Sequence, residues 1–411
     1  MMTFVPLYID PGTGSMLFSV LISLFALGYF AFRAAVIKLR VLFAGKKGIK
    51  SGRIPFVIYC EGKQYWNTFK NIVEEFERRS ISLVYYTSAN DDPVFDAEWK
   101  FVKPEFIGSG NKAFARLNIL EADVCLMTTP GLDVFQLKRS KGVKHYAHVL
   151  HMVNDATLYK RYGLDYFDSV LLSGDYQKED IRYLEKLRGL PEKELVTVGS
   201  PYLDVQLERL NRIKAQPNKK FTVLVAPSWG ASGLLSLYGE KLLDPLSECG
   251  FDVIIRPHPQ SKMVEKELLE NLKSRYAGKK EILWDFEPDN IVSISKADII
   301  ISDFSSITLD FAFLRDKPFL SAVSDFDARP YDAGKITHPL WQFQVLPKIG
   351  KELKEADFAR IGDVIKSIAN SPESVQNRRL AKAEAWQHIG QAGKLVADFM
   401  VSTQKRIDNN R

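Results

Sequence analysis

The chain has 411 residues, of which 46% are apolar and 26% charged, and a formal net charge of +6. This is an ordinary globular composition, and the length favours two or three domains with large cores. Its three cysteines have no metal-ligand spacing, which excludes a cysteine-based metal motif and indicates buried thiols in a reducing compartment.

The N-terminal segment carries a membrane feature. Residues 11–32 contain no charge, and Met16–Phe32 is nearly continuous apolar sequence, about the length that spans a bilayer. A cleaved signal peptide is the alternative, but nothing basic precedes the run and no small-residue cleavage site follows it. We therefore predict that residues 1–45 form a single transmembrane helix and a basic juxtamembrane segment.

Seven cations and no acid follow the apolar run: Arg33, Lys38, Arg40, Lys46, Lys47, Lys50 and Arg53. The positive-inside rule predicts an external N-terminus and a cytoplasmic body at the inner leaflet of the plasma membrane. Without these cations and Asp10 the rest of the chain is neutral. The basic character therefore indicates a membrane surface and gives no support to nucleic-acid binding. Topology alone explains the cations better than a specific lipid-binding role does.

Beyond Arg53, strand and helix patterns alternate. The strands predicted in the first half are Ile54–Cys60, Leu83–Thr87, Asp123–Thr129, Tyr146–Val153 and Ser169–Leu172, with helices at Tyr65–Arg79 and Asn111–Leu120. After a polar, basic stretch at residues 211–220, the predicted strands are Phe221–Ala226, Phe251–Arg256, Glu281–Trp284, Asp298–Ser302 and Pro318–Val323. Helical patterns follow at Phe358–Ile368 and Val375–Phe399.

This order predicts an α/β chain with two Rossmann-like, doubly wound domains, a GT-B-like architecture. We assign residues 46–215 to an acceptor-side domain, residues 216–347 to a nucleotide-donor domain and residues 348–411 to C-terminal helices. In such sheets ligands bind outside the carboxyl ends of the strands, so polar residues that end strands are the candidates for function.

Polar residues end two predicted strands of the second half. Ser305 and Ser306 fall in the N-cap region of a buried helix, where free N–H groups and the helix dipole suit a diphosphate. The alternative is a plain serine N-cap. His258 lies between two prolines that restrict its backbone, and Arg256 before it is a natural partner for phosphate oxygens. The alternative for His258 is a structural helix cap.

Three histidines alternate along one predicted strand. His145 and His151 would lie on one face and His148 on the other, which argues against a three-histidine metal site. His151 is nearest the carboxyl end of the strand, where it can serve as a base toward a hydroxyl. From spacing alone, a buried structural histidine is the better explanation of His151.

Several segments resemble the CDP-glycerol:poly(glycerophosphate) glycerophosphotransferase family, whose members build teichoic-acid-type chains. The resemblance covers about residues 146–335. Five segments carry it: ADIIISDFSSITLDFAFLRDKP at 297–318, RPHP at 256–259, GSPYLD at 199–204, VLHMVND at 149–155 and FDARPYDAGK at 326–335. In the first histidine motif the family usually has histidine-glycine-threonine-proline, whereas Met152, Val153 and Asn154 follow His151 here.

The resemblance implies a membrane-associated enzyme that transfers glycerol phosphate from CDP-glycerol to a hydroxyl acceptor and releases CMP. The acceptor would be a polyol, a glycan or a lipid-linked molecule, and no metal or cofactor is expected. His151 would be the base, and His258, Ser305 and Ser306 would contact the donor diphosphate. Asp310 would be a candidate for the donor hydroxyls.

Two other classes of protein stay open. One is a GT-B transferase that uses CDP-ribitol or a sugar nucleotide, because a helix N-terminus recognises only the phosphate. The other is a non-catalytic membrane scaffold with the same fold, although a scaffold needs none of Arg256, His258 and the two serines.

Overall fold

The computed structural model describes residues 22, 23, 25, 27–29, 32, 53–213, 220–287, 289–322, 326–368 and 372–410. The chain divides into residues 1–53 and residues 54–411. In the first unit the described residues from 22 to 32 are helical and exposed, and the predicted transmembrane segment lies largely outside the described residues. Among the described residues, no helix combines the length and apolar character that a bilayer crossing needs.

The first half of residues 54–411 is built on a seven-stranded, wholly parallel sheet. Its strands are β1 (Ile54–Cys60), β2 (Leu83–Thr87), β3 (Val102–Phe106), β4 (Ala122–Met127), β5 (Val143–Val149), β6 (Ser169–Leu172) and β7 (Glu194–Thr197). Their order in the sheet is β3-β2-β1-β4-β5-β6-β7. Strands β4 and β6 are buried throughout, as expected for a parallel sheet with helices on both faces, which explains their apolar sequences.

Four α-helices belong to this half: α1 (Trp66–Arg78), α2 (Asn111–Leu117), α3 (Gln177–Arg188) and α4 (Pro201–Arg212). Helix α1 shows why they pack as they do, since Phe69, Ile72, Val73 and Phe76 repeat at helical spacing and form its buried face. Short 3-10 helices occur at Lys63–Tyr65, Pro93–Asp96 and Ala156–Leu158.

The second half repeats the plan with a six-stranded parallel sheet. Its strands are β8 (Thr222–Val225), β9 (Asp252–Ile255), β10 (Ile282–Trp284), β11 (Ile299–Ser302), β12 (Phe319–Ala322) and β13 (Lys351–Leu353), in the order β10-β9-β8-β11-β12-β13. Its helices are α5 (Leu234–Ser247), α6 (Ser261–Val264), α7 (Lys266–Arg275), α8 (Ile291–Lys296), α9 (Ile307–Arg315) and α10 (Trp341–Ile349). In both sheets the order of successive strands changes side at a central pair, β1/β4 and β8/β11, which confirms the predicted doubly wound class.

Helices α11 (Ile361–Ile368), α12 (Pro372–Ala385) and α13 (Ala392–Asn409) end the chain. Helix α13 returns to the first half, where Val396, Ala397, Phe399 and Met400 join the core cluster of α1. The single helical pattern predicted over Val375–Phe399 is therefore two helices with a break between them.

The turn Gly199–Asp204 holds that break in place. The Asp204 carboxylate accepts hydrogen bonds from Trp386 Nε1 at 2.9 Å and from the backbone N–H groups of Gly390 and Ala392 at 2.8 and 3.0 Å. Gly199 has φ of +86°, and a Cβ atom there would lie 2.3 Å from the Gln387 carbonyl oxygen. Only glycine fits this approach, and the turn thereby joins the segment between α12 and α13 to the first half.

The strand predictions need correction in two respects. The edge strands β3, β7 and β13 were not predicted, because short sequences such as VKPEF and KEL carry charges or proline and no apolar run. Strand β5 was predicted to extend to Val153 but ends at Val149, and the backbone N–H of Leu150 makes the last bond to β6, at 3.2 Å to Leu171 O. His151 therefore lies in the loop beyond the strand, where the two-residue alternation no longer applies.

Candidate functional site

The candidate residues lie at the carboxyl ends of β4 and β5 in the first half and of β9 and β11 in the second. The loop after β5 also joins the halves, since the Asp155 carboxylate accepts the backbone N–H groups of Trp341 and Gln342 at 2.8 and 2.9 Å. These two N–H groups start helix α10, so a residue of the first half caps a helix of the second. Burial raises the pKa of Asp155 to about 6.

His151 is partly exposed and has both polar and aromatic neighbours. Its Nδ1 lies 2.8 Å from Thr128 Oγ1 and 3.2 Å from the Tyr159 hydroxyl. The Tyr65 and Tyr159 rings pack against it, with centroids 4.9 and 5.6 Å away. Desolvation by these neighbours lowers the pKa of His151 to about 4, so the imidazole is neutral at pH 7.

His148 lies on β5, fully buried between the rings of Tyr159 and Phe167. Its Nε2 is 3.2 Å from the same Tyr159 hydroxyl that contacts His151. Burial holds the pKa of His148 well below its usual range. The prediction that His148 and His151 lie on opposite faces is therefore wrong, because the chain bends after Val149 and brings both rings to Tyr159.

His258 follows β9 and is held by its own backbone. The N–H of Gln260 donates to His258 Nδ1 at 3.1 Å, so the proton of the neutral ring is on Nε2. The Trp229 ring lies beside it, with centroids 6.3 Å apart and an interplanar angle of 31°. Burial lowers the pKa of His258, while Asp303 and Glu265 oppose that shift. The neutral ring presents an N–H donor at Nε2.

Ser305 and Ser306 are partly exposed at the start of α9. Ser306 is the N-cap residue, but its side chain makes no capping hydrogen bond. A plain serine cap therefore does not describe this helix start. The N-terminal turn of a nine-residue helix and two hydroxyl side chains lie together at the end of β11, an arrangement that suits a phosphate group.

Asp303, which the sequence analysis did not single out, fixes the loop that carries these serines. This fully buried carboxylate accepts from Ser305 N at 3.1 Å, from Leu234 N at 2.9 Å, and from Ser228 N and Oγ at 2.9 and 2.7 Å. It therefore joins the loops after β8 and β11. Its position two residues before Ser305, directly after a buried strand, was the available signal.

Arg256 is engaged differently from the prediction. Its Nη1 pairs with Asp285 at 2.5 Å, its Nη2 donates to the Glu287 carbonyl at 2.7 Å, and the residue is 8% exposed. The guanidinium fork expected to bind phosphate thus holds the β10 loop against β9. The sequence could not indicate this, because Asp285 is 29 residues away.

Asp310 lies in the first turn of α9 and is 7% exposed. Burial raises the pKa of Asp310 to about 7, so at neutral pH the carboxyl is close to half protonated. Burial, and to a smaller extent the charge of Asp310, raise the pKa of the Tyr202 phenol on α4. Within the described part of the chain, no group of three or more His, Cys, Asp or Glu side chains could hold a metal ion.

Two parallel, doubly wound domains, with histidine and serine loops at the carboxyl ends of their strands, define a protein of GT-B-like architecture. The profile of the CDP-glycerol:poly(glycerophosphate) glycerophosphotransferase family matches residues 121–337. Because this match covers more than half of the chain, the chain belongs to that family and is a glycerophosphotransferase. Comparison with curated protein sequences gave no match.

Several solved structures share the fold. The wall teichoic acid polymerase TagF has 15% identity and a TM-score of 0.56, with 85% of this chain and 89% of that chain covered. A TagF variant soaked with CDPG has 14% identity and a TM-score of 0.58, with coverages of 91% and 98%. UDP-GlcNAc 2-epimerase from Neisseria meningitidis, bound to UDP-GlcNAc, has 13% identity, a TM-score of 0.55 and coverages of 84% and 99%. At these identities the likeness concerns the fold.

Proposed function

We propose that this enzyme, at the inner face of the plasma membrane, transfers glycerol phosphate from CDP-glycerol to a hydroxyl of a glycerophosphate-type acceptor and releases CMP. Membership of the family supports the reaction class. The TagF structure soaked with CDPG supports this choice of donor by analogy of fold.

The observation that carries the proposal is the arrangement of the loops after β9 and β11. His258 offers a neutral Nε2–H, and the start of α9 offers two hydroxyls on a loop that Asp303 fixes by accepting a hydrogen bond from Ser305 N. All of these groups donate hydrogen bonds, and none adds negative charge where a diphosphate would bind. His258, Ser305 and Ser306 would hold the donor diphosphate, and Asp310, one turn further along, would accept a hydrogen bond from a donor hydroxyl.

His151 would act on the acceptor. Its neutral imidazole takes the proton of the acceptor hydroxyl while that oxygen bonds to the β-phosphorus of CDP-glycerol. The bond from the β-phosphorus to the bridging oxygen breaks, and CMP leaves with the electron pair, stabilised by the His258 Nε2–H. The transfer is a direct displacement without a covalent enzyme intermediate, and it calls for no cofactor or metal.

The membrane location rests on the sequence. An uncharged apolar run of bilayer length followed by seven cations is typical of a single-pass anchor with a cytoplasmic C-terminal body. A protease-accessible tag at the C-terminus should be cut only after the membrane is opened. Cleavage of that tag in sealed, right-side-out cells would contradict this orientation.

The activity is tested with the full chain in detergent. CDP-glycerol, CDP-ribitol and UDP-sugars are supplied separately with a short glycerol phosphate oligomer, and released nucleotide and oligomer length are both measured. We expect CMP release and oligomer growth with CDP-glycerol, and unchanged turnover in EDTA. Turnover of CDP-ribitol or a UDP-sugar with CDP-glycerol inert would assign another donor, and binding of no nucleotide would favour a scaffold. Loss of turnover in EDTA would contradict the metal-free mechanism.

A further inference from the structure

Thr128 follows β4 directly and is fully buried beneath His151. Its Oγ1 makes two short contacts, at 2.7 Å to the Val149 carbonyl oxygen and at 2.8 Å to His151 Nδ1. A carbonyl oxygen can only accept a hydrogen bond, whereas a threonine hydroxyl has one proton to donate. The two contacts are both favourable only if the proton goes to Val149 and Thr128 Oγ1 accepts from His151.

We infer that Thr128 is a positioning residue that fixes the tautomer of His151, with the proton on Nδ1 and the lone pair on Nε2. In the opposite assignment the hydroxyl turns to His151, and the Val149 carbonyl loses this donor at a buried position, which is unfavourable. The catalytic consequence rests on the proposed function, because a base must present its lone pair to the acceptor hydroxyl. The tautomer itself can be measured without any substrate.

Tyr159 competes with Thr128 for the same nitrogen. Its hydroxyl lies 3.2 Å from His151 Nδ1 and 3.2 Å from His148 Nε2. If the phenol donated to His151 Nδ1, the ring proton would move to Nε2 and the base would be lost. The shorter contact to Thr128, which has no second proton to offer, sets the direction. Removing the Thr128 hydroxyl leaves Tyr159 as the polar neighbour and should reverse the tautomer.

A threonine at this position orients the ring without adding charge. A carboxylate hydrogen-bonded to Nδ1 would stabilise the imidazolium and raise the pKa of His151, and it would place negative charge near an anionic substrate. A neutral hydroxyl adds no negative charge, and its hydrogen bond only partly offsets the desolvation of the ring. Desolvation by burial therefore outweighs the Thr128 contact and keeps the pKa of His151 low, at about 4.

The test combines nitrogen NMR of isotope-labelled histidine in the full chain with steady-state kinetics, for the wild type, Thr128→Val, Thr128→Ser and Tyr159→Phe. We expect the Nδ1–H tautomer of His151 in the wild type and in Thr128→Ser and Tyr159→Phe, and the Nε2–H tautomer in Thr128→Val. Turnover in Thr128→Val should fall by about 10- to 100-fold with the KM for CDP-glycerol unchanged, because a base in the wrong tautomer loses much of its catalytic contribution. Thr128→Ser should restore it.

An Nε2–H tautomer in the wild type, or a reversal caused by Tyr159→Phe, would overturn the inference whatever the kinetics show. If the tautomers are as expected but Thr128→Val turns over normally, the structural assignment stands and the proposed role of His151 as the base fails. If Thr128→Val does not fold, the wild-type and Tyr159→Phe spectra still decide the assignment.

Discussion

The two halves of the molecule hold their histidines by different means. In the second half, His258 lies between two prolines, and the backbone N–H of Gln260 orients its ring. In the first half the His151 ring is oriented by the side chains of Thr128 and Tyr159, and Thr128 is 23 residues away, directly after strand β4. The Nε2 atom is a proton donor in His258 and, by our inference, an acceptor in His151.

Local sequence is enough to orient the His258 ring, whereas the orientation of the His151 ring requires the folded chain. A backbone donor two residues away survives most substitutions around it, so His258 should depend little on its neighbours. A contact between two side chains is lost when either one is replaced, so the orientation of the His151 ring should depend strongly on Thr128. The two protonation states of Nε2 also match the proposed reaction. The lone pair of His151 would take a proton from the acceptor hydroxyl, and the N–H of His258 would stabilise the leaving phosphate.

Replacing His258 by alanine should have the largest effect. Loss of the Nε2–H should lower kcat by about 100- to 10,000-fold, the range for a group acting on the leaving oxygen, with little change in melting temperature. The matched control is His388→Asn, because His388 has φ of +53° on the break between α12 and α13, and asparagine tolerates that backbone. Normal turnover in a folded His258→Ala enzyme would refute the role of this residue.

Replacing His151 by alanine should lower kcat by about 100- to 1,000-fold, somewhat less, because a base with a pKa of about 4 drives proton transfer only weakly. His148→Ala is the control in the same core. It should cost about 2–4 kcal/mol of stability through the cavity it leaves between Tyr159 and Phe167, while turnover per folded molecule stays near normal. If His148→Ala abolished turnover in a stable protein and His151→Ala did not, the base would be misassigned.

The sequence predicted the parts of this molecule that depend on continuous apolar strands. Strand β1 (IPFVIYC) lies as predicted, because a strand buried on both faces has a distinctive composition. Of the edge strands, β3, β7 and β13 were missed since they bury little, whereas β10 was predicted. The carboxyl end of β5 was misplaced by four residues, and a local pattern does not show where the last ladder bond is made.

In the candidate site, too, the features that are local in sequence were predicted and the long-range contacts were not. His258 and the two serines occur in short motifs whose backbone geometry is local. Arg256 has the residue type that phosphate binding needs, yet Asp285 engages its guanidinium, and no spacing rule connects the two. Thr128 and Tyr159 became visible only when the fold brought their hydroxyls to one imidazole nitrogen.

Replacing the two serines that precede α9 should have a smaller effect, on donor binding. Ser305→Ala with Ser306→Ala should raise the KM for CDP-glycerol roughly 30-fold, since each of the two hydroxyl bonds contributes about 1 kcal/mol and the helix N-terminus remains. Thermal stability should be nearly unchanged, because the Ser306 side chain does not cap the helix. The control is Ser295→Ala, whose hydroxyl bonds only to the Val292 carbonyl on α8. An unchanged KM in the double variant would remove the serines from the donor site.

Replacing Asp310 by asparagine should have the smallest effect on turnover and a pH-dependent effect on stability. Burial raises the folded pKa to about 7, above the ordinary value of about 3.9, so between these two values the folded state keeps a proton that the unfolded chain has lost. Stability contributed by this group is therefore present at low pH and lost as pH rises through about 7. Asp310→Asn should melt higher than the wild type at pH 8 and equally at pH 4.

A role for Asp310 in the donor site adds an opposite effect on function. If the carboxylate accepts a donor hydroxyl, Asp310→Asn should raise the KM for CDP-glycerol a few-fold while kcat holds, since the amide oxygen keeps one acceptor but loses the charge. The control is Asp327→Asn, an exposed carboxylate paired with Arg329, which should change neither quantity. Higher stability at pH 8 with an unchanged KM would make Asp310 a buried carboxyl of the α4–α9 region, and the donor hydroxyls would then need another partner. Higher stability with a raised KM would show a group whose burial is unfavourable for folding and is retained for binding.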